Sequence, residues 1–126
     1  MQDLLKKLKF KDAGVVLNAP TRLENEFLKA GFEKSFSKKN KSAFTLSFLK
    51  NNSELINFLQ SQLNNIASDS VFWIAYPKLT GKIKSDINRD KIRSVAEEFG
   101  MRTVTAISID DTWSALRMRP SDKVGT

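Results

Sequence analysis

The chain contains no cysteine and no histidine. Without cysteine there is no disulfide framework, no thiolate nucleophile and no sulfur ligand for zinc or an iron–sulfur cluster. Without histidine there is no imidazole base and no histidine-based metal site, so Ser-His-Asp and Cys-His mechanisms are excluded. Catalysis would have to rest on carboxylates, lysines, hydroxyls or Tyr76, the single tyrosine. On these grounds the sequence assigns no catalytic residue and no metal ligand, and it leans away from an enzyme. Long apolar runs are missing as well. None approaches the ~20 residues that span a bilayer, and in MQDLLKKLKF lysines interrupt the leucines where a signal peptide needs a continuous apolar core. The expectation is a cytoplasmic protein with no membrane partner.

What is present fits one globular domain. The length is 126 residues, with 40% hydrophobic and 28% charged residues, enough for a core and too short for two domains. Residues 1–120 are read as a single α/β domain and 121–126 as a polar, frayed C-terminal tail. The net charge of +7 is uneven: the first fifty residues carry eleven Lys and Arg against five Asp and Glu, the remainder ten against nine. A basic half steers toward nucleic acid or anionic surfaces, although lysines at 6, 7, 9 and 11 also serve solubility.

The element order follows from periodicity and punctuation. Residues 3–9 read as a short helix with Leu4, Leu5 and Leu8 on one face, and Val15–Leu17 as a buried parallel strand. Thr21 and Glu24 have capping-box spacing; Leu23, Phe27 and Ala30 form a helical stripe, and Gly31 stands where a C-cap glycine belongs. Residues 33–37 read as a short strand and Lys38–Lys41 as a basic hairpin tip. Phe44, Leu46 and Phe48 alternate in a strand over 43–49. The link between these two is too short for a helical crossover, which leaves an antiparallel pair or an irregular edge. A helix capped by Asn52 or Ser53 runs to Ala67. Val71–Ala75 is a buried strand that Pro77 ends. Asn88 caps a further helix, with Ile87 and Ile92 as a hydrophobic staple and Gly100 closing it. Residues 103–109 and 113–119 form an antiparallel edge hairpin about Asp110-Asp111-Thr112. The fold class is α/β, a single mostly parallel sheet with flanking helices and a C-terminal antiparallel hairpin, a shortened Rossmann-like arrangement.

In such sheets ligands bind beyond the carboxyl ends of the strands. Residues 18–21, 76–84 and 88–93 fall there. Lys78, Lys82, Lys84, Asn88, Arg89 and Arg93 are the candidate anion-binding residues, since free N–H groups and the dipole at a helix start favour negative charge. The opposing reading pairs these bases with Asp86 and Asp90. Asp110, Asp111 and Trp113 form a second constellation, structural or functional, with one carboxylate expected to accept N–H bonds and fix the turn. After the first strand, LNAPTRLE holds no glycine, whereas a dinucleotide site needs G-x-G-x-x-G for backbone to approach a pyrophosphate.

With Tyr76-Pro77-Lys78, Asp86, Arg93, Asn18-Ala19-Pro20 and the segment from Asp110 through Thr112-Trp113-Ser114 to Leu116 in view, the chain resembles an uncharacterised bacterial family of small α/β proteins, a domain of unknown function. Its element order is also similar to a shortened Rossmann-like methyltransferase, whose sheet ends in an antiparallel hairpin. The first resemblance names no cofactor, and the second implies S-adenosylmethionine. The leading expectation is a non-enzymatic binding or interaction module with an anion-binding loop, its partner a small anionic ligand or a protein. Two alternatives stand beside it: nucleic-acid binding through the basic N-terminal half, and a degenerate methyltransferase-like cofactor binder.

Overall fold

The computed structural model describes residues 1–79 and 83–123. Six strands form one sheet: β1 (Gly14–Leu17), β2 (Phe32–Glu33), β3 (Ser42–Phe48), β4 (Ile66–Pro77), β5 (Met101–Ser108) and β6 (Trp113–Pro120). Their order is β2-β1-β3-β4-β6-β5. The first four are parallel, and β6 runs antiparallel to both β4 and β5. The mostly parallel sheet with a closing hairpin is therefore present. It is β5, however, that forms the edge, with β6 inserted between it and β4.

Among the described residues four α-helices cover the two faces: α1 (Gln2–Lys7), α2 (Thr21–Lys29), α3 (Asn52–Gln62) and α4 (Arg89–Glu98). Alternation along the strands divides the core accordingly. Phe44, Leu46, Phe48, Trp73 and Trp113 pack with Leu8, Leu23 and Phe27 of the α1/α2 side. Phe72, Ile74, Leu116 and Met118 pack with Leu55, Phe58, Leu59, Ile92 and Ala96 of the α3/α4 side. The glycine stops are as expected: Gly31 at φ +112° and Gly100 at φ +76° adopt the left-handed conformation that ends a helix without a Cβ clash.

Several boundaries moved, each for a physical reason. The capping box at Thr21 is not made: Thr21 is already helical, and Pro20, the N-cap, has no side-chain oxygen to offer. Asn51 caps α3, its Oδ1 accepting from the amide of Glu54 at 2.9 Å. That helix ends at Gln62 and continues as a single 3-10 turn, so Ile66 and Ala67 belong to β4. Asn88 caps α4 as its side chain suggested, accepting from the amide of Lys91, and the staple residues Ile87 and Ile92 are buried. Residues 33–37 are not a strand beside β3. Only Phe32–Glu33 pair, in parallel with β1, and residues 34–41 are a crossover rather than a hairpin tip. A crossover this short is feasible because β2 is a two-residue edge fragment. The polar tail is not frayed at its start, since β6 reaches Pro120, the amide of Ser121 donates to the carbonyl of Gly100, and 121–123 form a 3-10 turn.

Between the Ser42–Ile66 and Phe44–Val71 pairs, β4 bulges, with Asp69 at φ +51°. Arg119 of β6 grips that bulge, its Nε and Nη2 donating to the Asp69 carboxylate at 2.9 and 3.0 Å. This hydrogen bond holds the Asp69 carboxyl below the usual carboxylate range. A depressed folded-state pKa contributes stability above the unfolded-state value and loses it as pH falls through the folded one. Between about pH 5 and pH 2 the wild-type melting temperature is thus expected to fall more steeply than that of Asp69→Asn. Asparagine tolerates the left-handed backbone, so the bulge persists and only the charge is lost. Parallel melting curves across that range would show that the pair contributes nothing.

Candidate functional site

The strand order reverses at β1: the chain leaves it outward to β2 and returns past it to β3. Such a switch point opens a crevice beyond the carboxyl ends of the two diverging strands. A cleft of about 580 Å³ lies there, lined by Asn18 and Ala19 after β1, Phe48, Leu49 and Lys50 at the end of β3, and Glu54, Asn57, Phe58, Ser61 and Gln62 of α3. Asn18 sits at φ +61°, where asparagine is one of the few side chains tolerated. It makes the sharp exit from β1 that glycine makes in dinucleotide-binding loops, and it lines the cleft. A second lobe of about 500 Å³ shares Asn18, Phe58 and Gln62 and is walled by the crossover residues Lys34–Lys38.

The loop after β4 is stitched to the rim of this cleft. Ser85 Oγ donates to the carbonyl of Lys50 and accepts from the amide of Ile87. Asp86 Oδ1 accepts from the amide of Asn52 at 2.8 Å, satisfying a free donor in the first turn of α3. Asp86 is thus a helix-capping carboxylate, and among the described residues it is Asp90 that pairs with one of these bases, Arg93, at 3.1 Å.

Of the six loop candidates, Lys78, Asn88 and Arg89 line one hollow of about 290 Å³ with Tyr76, Leu79 and Ser114. Arg93 and Lys84 do not line it, and Lys82 lies outside the described residues. Lys78 Nζ also donates to Ser108 Oγ at 2.7 Å. In the hairpin turn, Asp110 Oδ1 accepts from the amides of Thr112 and Trp113, both at 2.8 Å, which is the turn-fixing role. Its other oxygen meets Arg22 of α2 at 3.3 Å, while Asp111 is exposed. Trp113 is buried against Phe48, ring centres 5.0 Å apart and nearly perpendicular.

Sequence reading placed residues 18–21 beyond the strand ends but missed α3 and the crossover as the cleft's other walls, because strand order brings them together. Residues 34–38 and α3 are distant along the chain, and meet only because β3 lies next to β1. The available signal was Asn18, a residue suited to positive φ directly after a buried strand.

No family model and no curated protein matches the chain. Solved structures do. A ribosomal protein L11 methylase from Lactobacillus delbrueckii subsp. bulgaricus superposes with a TM-score of 0.53 at 10% identity, over 88% of this chain and 59% of that one. LepI in complex with SAM gives 0.52 at 11% identity, over 94% of this chain and 39% of that one. A SAM-dependent methyltransferase from Aquifex aeolicus gives 0.51 at 13% identity, over 93% and 88%. The chain therefore spans 59% and 39% of the length of the first two. These neighbours overturn the leading expectation of a non-enzymatic binding module and favour the methyltransferase-like alternative. At such identities the likeness is one of fold: this chain has the mixed α/β sheet of the Rossmann-like methyltransferases.

Proposed function

We propose that this chain is a degenerate methyltransferase-like protein that takes an S-adenosylmethionine-type cofactor in the switch-point cleft. The observation that carries this reading is the cleft itself, about 580 Å³ beyond the carboxyl ends of β1 and β3. That volume lies in the range of small-molecule sites, and the position is the one where open α/β sheets hold nucleotides. The donor set suits the group: the amides of Asn18 and Asn57 are matched to a base edge and ribose, and Lys50 to a carboxylate. Asn18 replaces the glycine-rich turn, so the cofactor would be met by a side chain where glycine-rich sites offer bare backbone. When bound, the cofactor would supply an electrophilic methyl group, and the chain's own residues would bind and orient it.

The resemblance to the uncharacterised bacterial family, carried by Tyr76-Pro77-Lys78 and by the segment from Asp110 to Leu116, belongs to the same reading, as do a single domain over 1–120 and a cytoplasmic location. No described helix is long and apolar enough to cross a membrane.

Calorimetric titration with S-adenosylmethionine and S-adenosylhomocysteine tests the proposal. Ligand at a hundred times its dissociation constant is expected to add about 2.7 kcal/mol to stability, and Asn57→Leu is expected to remove most of that gain. No heat and no thermal shift with either compound at millimolar concentration would sink the reading.

A further inference from the structure

The second lobe asks for a different ligand group from the first. Its floor is apolar and aromatic, made by Leu17, Phe36 and Phe58. Beside that floor Asn65 Nδ2 donates to Gln62 Oε1 at 2.8 Å, which leaves Gln62 a free amide donor and Asn65 a free carbonyl acceptor. The outer wall is the crossover. Phe36 packs against the core on the α3 side, and Ser37 Oγ accepts from the amides of Lys39 and Asn40, so the strap is anchored and turned. From this strap Lys34 and Lys38 stand on the rim, exposed. Among the described residues no carboxylate pairs with either; the ion pairs are Arg22–Asp110, Arg93–Asp90 and Arg119–Asp69.

An apolar floor, one amide donor with one acceptor, and two uncompensated cations at the mouth match a base and its phosphate. We infer that this lobe binds a nucleotide, its base over Phe36 and Phe58 and its phosphate at Lys34 and Lys38. The phosphate belongs either to a mononucleotide or to a single strand threading the same rim. The lobe adjoins the proposed cofactor cleft through Asn18, Phe58 and Gln62, and nucleotide binding here does not depend on that reading.

The test compares 5′-UMP and 5′-GMP with uridine and guanosine by calorimetry, adenosine compounds being avoided because they would enter the first lobe. At least one monophosphate is expected to bind ten-fold or more tightly than its nucleoside, and Lys34→Gln/Lys38→Gln is expected to erase that difference. Lys6→Gln/Lys7→Gln, with the same charge change on α1 across the sheet, is expected to preserve it. An oligo(U) octamer distinguishes the sources: tighter binding than UMP, weakening steeply with salt, indicates a strand, and equal binding indicates a mononucleotide. The inference is overturned if neither monophosphate exceeds its nucleoside, or if both double variants lose affinity alike. S-adenosylhomocysteine is titrated into the same proteins. Its binding without nucleotide binding removes this inference alone, and nucleotide binding without it removes the cofactor reading alone.

Discussion

Trp73→Ala is expected to cost about 3–5 kcal/mol, the range for emptying a large aromatic site in a packed core. Trp73 is 1% exposed at the middle of β4, within the cluster that joins the sheet to α1 and α2. Its indole N–H donates to the carbonyl of Leu8 at 2.9 Å, in a buried bond spanning 65 residues. Leu8 is the C-cap of α1, where carbonyls have no partner within the helix. The same side chain therefore fills the core and closes the end of the N-terminal helix. Typical domains hold only about 5–15 kcal/mol in total, so the variant is expected to lose a large share of its stability. Trp73→Phe separates the two roles. It keeps most of the ring and leaves the Leu8 carbonyl unpaired, at about 1–3 kcal/mol. Urea denaturation followed by circular dichroism measures both, and limited proteolysis reports on α1. A loss below 1 kcal/mol for the alanine variant would mean that Trp73 is not the link described.

Gly14→Ala gives the opposite kind of damage, overpacking, at about 1–3 kcal/mol. Gly14 opens β1 against an aromatic group in which Phe10 stacks on Phe32 at 4.2 Å and Phe44 sits edge-on to both at 5.4 and 5.5 Å. A Cβ at position 14 would come within 2.9 Å of the Phe44 ring, 3.0 Å of Phe32 and 3.3 Å of Phe10. These rings hold one another in place, so none can yield alone. The glycine is required here by close approach, and the few tenths of a kcal/mol or more that alanine gains through the unfolded chain do not offset the clash. In a Phe44→Leu background the same substitution is expected to cost markedly less, since the nearest ring is gone; such coupling is the signature of contact. Equal costs in both backgrounds would contradict the geometry.

Both residues show where the linear chain is informative and where it falls silent. That Val71–Ala75 is a buried strand could be read from an apolar run ending at Pro77, and that Asn88 begins a helix followed from its side chain and the flanking isoleucines. Gly31 and Gly100 marked helix ends because a left-handed residue is needed there. These are local facts, each determined by steric and hydrogen-bonding preferences within a few residues. The α/β class with its closing hairpin followed from stringing them together.

The candidate site was another matter. Asp86 looked like a partner for nearby lysines and arginines, because in sequence they are its neighbours; folding brings it instead to the amide of Asn52, 34 residues away. Lys34 looked like part of a short strand and Lys38 like the start of a hairpin tip, because a short link between two strands usually turns back. The insertion of β1 between β2 and β3 makes that link a crossover and turns its lysines into the rim of a cleft. Composition and periodicity carry the energetics of burial, which acts residue by residue, and so they dictate the elements and their inward faces. Strand order and the crevice it opens depend on which buried faces meet, a sum over long-range contacts that no local pattern encodes. The helices and strands of this protein were thus legible in its residues, and its cleft came into being with the packing.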